Sequence, residues 1–152
     1  MSVRSFGIAV MAAVVTCGGL AVAAPAGRLV EITGNDQMKF SVTAITAKPG
    51  ELLHVRLKSA GTLPKIAMAH NFVLLAKGTD AAAFATASAT ASASGYIPAQ
   101  LKTKVLASTP LVGPGETVDV TFKAPSAPGQ YAYLCSFPGH FVAGMKGVLT
   151  VK

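Results

Sequence analysis

From residue 28 onward the chain alternates apolar and polar residues with a period of two, interrupted at short intervals by turn residues. Thr117–Lys123 is the clearest stretch. Val118, Val120 and Phe122 fall on one side, and Thr117, Asp119, Thr121 and Lys123 on the other, the pattern of a strand with one face on a core. The same reading predicts strands at Arg28–Thr33, Met38–Ile45, Glu51–Lys58, His70–Leu75, Gln130–Cys135 and Lys146–Val151. Pro49-Gly50, Gly113-Pro114-Gly115 and Pro125 with Pro128-Gly129 mark connections. Short strands at this spacing predict an all-β domain, two packed antiparallel sheets joined by Greek-key links.

Asp80–Ser94 departs from the alternation. Its Ala, Ser and Thr residues carry no apolar face beyond Phe84. It reads as a short helical insertion capped by Thr79 or Asp80 and ended by Gly95, or as an Ala/Ser-rich loop; the capping residues favour the helix. No repeat and no second domain is visible.

The first residues follow another grammar. Arg4 supplies a positive start, Phe6–Val15 an apolar run and Ala21-Val22-Ala23 a small-residue cleavage site, so residues 1–23 read as a secretory signal peptide and 24–152 as the mature domain. Two alternatives keep the protein at a membrane: an uncleaved anchor, since no charge lies between Arg4 and Arg28, or lipid attachment at Cys17. The net charge is +7, or +6 if Arg4 leaves with the leader, and the lysines are scattered. No basic run or basic–aromatic stripe points to nucleic acid. A basic field of this kind favours an acidic redox partner through steering.

Chemistry concentrates near the end of the chain. Cys135-Ser-Phe-Pro-Gly-His140 and Met145 set a thiol, an imidazole and a thioether around a Pro-Gly turn, and Met68-Ala69-His70-Asn71 adds a second imidazole upstream. Without the leader Cys135 is the only cysteine, so no internal disulfide forms, and a lone exported thiol calls for a reason such as a metal. Two His, one Cys and a weak Met are the ligand set of a blue-copper centre. Taken singly, each of these residues reads as well as core filler or a satisfied imidazole. Together they point to copper. His54 is the only histidine left over, too few for a second copper site of the kind that copper-dependent reductases and oxidases use, so the chain reads as a carrier and not as an enzyme. The other readings are a copper store or chaperone, against which the dispersed methionines speak, and a structural zinc site.

Gly34-Asn-Asp-Gln-Met38, Leu63-Pro-Lys65, Met68-Ala-His-Asn71, Cys135-Ser-Phe-Pro-Gly-His140 and Met145-Lys-Gly147 resemble azurin, a bacterial cupredoxin, over Arg28 to Lys152. The resemblance implies a cupredoxin Greek-key β-sandwich and one type 1 copper per chain. It makes His70, Cys135 and His140 the equatorial ligands, Met145 the axial one and the Ala69 carbonyl a weak axial oxygen. It gives the backbone amides of Asn71 and Phe137 to the cysteine sulfur. It implies a monomer that shuttles single electrons in the periplasm between redox proteins such as c-type cytochromes or copper and haem reductases. It further implies that the electron leaves at the edge of His140, through an apolar patch matched here by Met38, Met68, Phe137, Pro138 and Phe141. The chain departs from azurins in having four residues between His140 and Met145, a spacing closer to auracyanin and plastocyanin. Ala69 stands where a glycine is usual, the azurin disulfide is missing, and Phe72 takes a position where many azurins carry tryptophan.

Overall fold

The computed structural model describes residues 27–152. The expected signal peptide, its cleavage site and Cys17 lie outside the described residues. The remainder forms two sheets packed face to face. Strands β1 (Arg28–Gly34), β3 (Leu52–Ser59) and β6 (Thr117–Lys123) make one sheet in the order β1-β3-β6. Strands β2 (Ala44–Ala47), β8 (Lys146–Val151), β7 (Gly129–Leu134), β4 (Val73–Leu75) and β5 (Val105–Ser108) make the other, in the order β2-β8-β7-β4-β5. Period-two alternation sends Leu53, Val55 and Leu57 of β3, Ile32 of β1, and Tyr131, Tyr133 and Leu149 of the facing sheet into a common core, where all are buried. Each such side chain contributes about 1.5–3 kcal/mol by leaving water.

Three sequence expectations need correction. The sheets are not purely antiparallel: β1 pairs with β3, and β2 with β8, in parallel. The chain changes sheet at each step from β1 to β4, so these successive strands never meet as hairpins and the first two enter as parallel edges. Met38–Ile45 is not one strand. Asn35 Oδ1 accepts from the amides of Gln37 and Lys39, both at 3.1 Å, and Met38 takes a left-handed φ of 56°, which makes a turn. Only Phe40 bridges back to Gly34 before pairing starts at Ala44. Finally, the strand expected from His70 begins at Val73, and its partner β5 was not anticipated; His70 itself makes a two-way backbone bridge with Val112, at 2.9 and 2.8 Å.

The Ala/Ser-rich insertion is helical. In α1 (Ala81–Ser88), Asp80 Oδ1 caps the first turn by accepting from Ala82 and Ala83 amides at 2.9 and 3.0 Å. Gly95 closes a later 3-10 turn, Ser92–Ser94, and not α1. Phe84 is the helix's one large anchor, packed with Val73, Leu75 and Leu134 in a second small core. That cluster covers the back of β4, which is why β4 is buried on both faces.

Candidate metal centre

The site sits where β7 ends and β8 begins, beside the segment that leads into β4. Cys135 follows β7 directly, and its amide donates to the Met145 carbonyl at 3.0 Å as β8 begins. Between them the chain makes one helical turn, α2 (His140–Ala143), entered and left through glycines in left-handed conformation, Gly139 at φ 83° and Gly144 at φ 101°. The Met145 amide donates to the His140 carbonyl at 2.9 Å, so the four residues between His140 and Met145 are taken up by a closed turn. His70 comes from the segment before β4 and is held by its bridge to Val112.

These elements bring three donor atoms together. His70 Nδ1 and His140 Nδ1 are 3.2 Å apart, and Cys135 Sγ is 3.4 Å from His140 Nδ1. All three donors lie within 4.8 Å of one another, in buried surroundings. Atoms so spaced can share a point about 2.0–2.3 Å from each, the ordinary reach of imidazole and thiolate ligands to a metal. Met145 is wholly buried, and its methyl and the His70 ring both press on Gly34: a Cβ there would stand 2.7 Å from Met145 Cε and 2.9 Å from His70 Cδ2. Gly34 is therefore required for close approach. The Ala69 carbonyl oxygen lies 4.0 Å from Cys135 Sγ.

Electrostatics set the protonation of these groups in the metal-free chain. Burial pushes the Cys135 thiol up to about 12, against the pull of the Asn71 and Phe137 backbone amides on its sulfur. Burial, and secondarily the neighbouring His70, pushes His140 down to about 4. Burial also lowers His70, while the Asp36 carboxylate works in the opposite direction. Near neutral pH the pocket thus holds a thiol and two neutral imidazoles. It is ready to give up one proton to a cation that can stabilise the thiolate.

Around the donors lies a network that the sequence did not advertise. Asn71 Oδ1 accepts from the Ser136 amide at 2.8 Å, and Asn71 Nδ2 donates to Ser136 Oγ at 2.8 Å, tying the His70 segment to the Cys135 segment. Ser136 had no separate signal beyond its place beside the cysteine. Phe137 stacks at a tilt on the His140 ring, centroids 4.8 Å apart, and Tyr96 meets Phe137 edge-on. His140 is accordingly only 1 % exposed, more covered than the resemblance implied. Of the other patch residues, Pro138 is exposed, whereas Met38, Met68 and Phe141 are half-buried. The neighbouring Val142 and Ile66 are the most open large apolar residues among those described, at 88 % and 91 %. His54 lies away from the centre, on the outer face of β3, with Nε2 2.7 Å from Asp119 Oδ1.

A sandwich with buried His, Cys and His donors beside a methionine at the end of two strands defines a copper protein of the blue type, a class that transfers electrons. The sequence profile described as "Copper binding proteins, plastocyanin/azurin family" matches residues 26–152, and the chain belongs to this family. It is 43 % identical over 129 residues to an azurin of Pseudomonas denitrificans, covering 81 % of this chain and 97 % of that one. It is 36 % identical over 117 residues to auracyanin-B of Chloroflexus aurantiacus, covering 76 % of this chain and 48 % of the relative. Among solved structures, the blue copper protein auracyanin A of Chloroflexus aurantiacus superposes with a TM-score of 0.72 at 34 % identity, covering 82 % of this chain and 98 % of that one. The chain takes one type 1 copper.

Proposed function

We propose that this chain is an exported, periplasmic electron carrier in which His70 Nδ1, His140 Nδ1 and Cys135 Sγ would hold the copper, with the Met145 thioether and the Ala69 carbonyl as weaker donors. Bound there, copper supplies one-electron chemistry by alternating between Cu(I) and Cu(II). The protein's share is to keep the donors still. His70 is fixed by its bridge to Val112, Cys135 by the end of β7 and the Met145 carbonyl, and His140 by a closed turn. The Asn71 side chain locks two of these segments together. A pocket supported this way changes shape little when its charge changes, which lowers the cost of each transfer. The amides of Asn71 and Phe137 draw charge from the sulfur, an arrangement that favours the reduced state. Burial keeps water from the donors.

Mature residues 24–152 act, on this reading, after residues 1–23 are removed. The partners are redox proteins such as c-type cytochromes or copper and haem reductases, met by a monomer, with Met38, Met68, Phe137, Pro138 and Phe141 near the contact. An acidic partner suits the charge distribution, because the acidic side chains are committed internally. Glu51 pairs with Arg28, Glu116 with Lys65, and Asp119 with His54 and Arg56. Glu31 faces Arg56, Asp36 accepts from Thr62, and Asp80 caps α1. Brief docking of this kind buries little area. A carrier rather than an enzyme is the reading that the likeness to azurin and auracyanin supports.

The observation that carries this reading is the convergence of two Nδ1 atoms and one sulfur at 3.2 and 3.4 Å in a buried pocket. Copper loading tests it. One equivalent of Cu(II) is expected to raise an intense visible sulfur-to-copper band that bleaches on reduction and returns on oxidation. A copper store or chaperone would bind Cu(I) without that reversible band.

A further inference from the structure

We propose that Lys39 is a positioning residue for the copper centre: reaching from the loop after β1, its ammonium closes the C-terminal end of the α2 turn and fixes where His140 and Met145 sit. The inference rests on the copper reading above and extends it to a residue 104 positions from its contact.

A single helical turn is a poor structure by itself, because forming the first turn fixes several residues for very few hydrogen bonds. Its last carbonyls have no partner within the helix. In α2 the Gly144 amide turns back to the carbonyls of His140 and Phe141, and the Ala143 carbonyl accepts from Lys39 Nζ. A cation at this end also matches the negative pole of the turn. The Lys39 ammonium lies close against Gly144, where a Cβ would stand 2.6 Å from it, so a larger residue at 144 would push the contact away.

The loop that carries Lys39 is firm enough to act as a brace. Asn35 Oδ1 accepts from the Gln37 and Lys39 amides at 3.1 Å each, the Met38 amide donates to the Asn35 carbonyl at 2.9 Å, and Phe40 bridges to Gly34. Its root, Gly34, abuts the His70 ring and the Met145 methyl from inside. One loop therefore meets the centre at two points, Gly34 within and Lys39 without. A freely rotating surface lysine would do neither job. Removing the cation loosens the turn and takes positive charge from beside the copper, which favours Cu(II) and lowers the reduction potential.

Lys39→Met and Lys39→Arg test this by amide hydrogen exchange at Gly144 and Met145, in the metal-free chain and in the reduced copper-loaded chain, together with the reduction potential. In Lys39→Met, exchange at these two amides is expected to rise about three- to tenfold while core amides of β7 hold, and the potential to fall; Lys39→Arg restores both. Unchanged exchange at Gly144 and Met145 would overturn the brace even if the potential moved, since a distant charge would explain that alone. A rise spread equally through β7 would overturn it too, marking general destabilisation. A missing visible band in the unmutated protein would sink the copper reading, whereas a normal band with unchanged exchange sinks only the role of Lys39.

Discussion

His54 stands mid-strand on the outer face of β3, its side chain 26 % exposed and its Nε2 2.7 Å from Asp119 Oδ1. His70 and His140 stand at the far end of the sandwich, buried, with their Nδ1 atoms 3.2 Å apart and no carboxylate in hydrogen-bond contact. The same side chain has been given opposite surroundings. The Asp119 carboxylate and open solvent meet the ring of His54, so it has no need of a metal. Burial disfavours the imidazolium at the other two, and the lone pairs of neutral rings converge on a thiol. What fits a histidine for the proposed ligand role is its position in the fold: the segment before β4 carries His70, the turn after β7 carries His140, and the two bring their rings together.

The contrast breaks most completely at Cys135. Cys135→Ala removes the one anionic donor, and copper-loaded variant protein is expected to lose the visible band entirely; a variant that stays blue would refute the assignment of the sulfur. Phe84→Ala separates the insertion from the centre. It should cost about 3–4 kcal/mol in chemical denaturation by opening a cavity beneath α1. The band should survive, and its loss would mean that α1 shapes the site directly.

Acid should expose the buried histidine pair in the metal-free chain. Burial holds folded His140 at about 4, whereas an unfolded imidazole titrates near 6.5, so the unfolded chain binds more protons in that window. The associated stability is fully present above about pH 6.5 and is lost as the pH falls toward 4, on the order of 3 kcal/mol for His140, with His70 acting in the same direction. Denaturation midpoints between pH 7.5 and 4.5 check this; a flat profile would contradict the buried neutral pair. The smallest effect belongs to His54→Gln. Loss of an exposed, solvent-screened pair with Asp119 should barely move the denaturation midpoint and should leave the copper spectrum untouched. A changed spectrum would show that His54 reaches the centre.

Much of this was legible because the donors are carried by short local motifs. Cys135, His140 and Met145 fall within one turn, and His70 announces itself beside a strand. The strands β1, β3, β6, β7 and β8 follow from alternation, since each has one face in the core. Other features were invisible for physical reasons. Asn35 folds its side chain back onto its own backbone and turns Met38–Lys39 out of the strand that alternation suggested. Val105–Ser108 is too short to display a period, and it becomes a strand only by pairing with β4. Parallel pairing of β1 and β2 depends on which sheet the chain enters next, which no local pattern encodes. Ser136 and Lys39 gain their roles through partners 65 and 104 residues away. A lysine on a polar loop looks like every other surface lysine until the fold delivers a helix end to it.

If Cys135, His70 and His140 bind one copper ion together, X-ray absorption at the copper edge of the loaded protein reads all three neighbours at once. One short sulfur neighbour and two nitrogen neighbours at about 2.0 Å are expected, nearly unchanged between the oxidised and reduced forms. A copper shell made only of oxygen and nitrogen, or one that rearranges on reduction, would contradict this expectation.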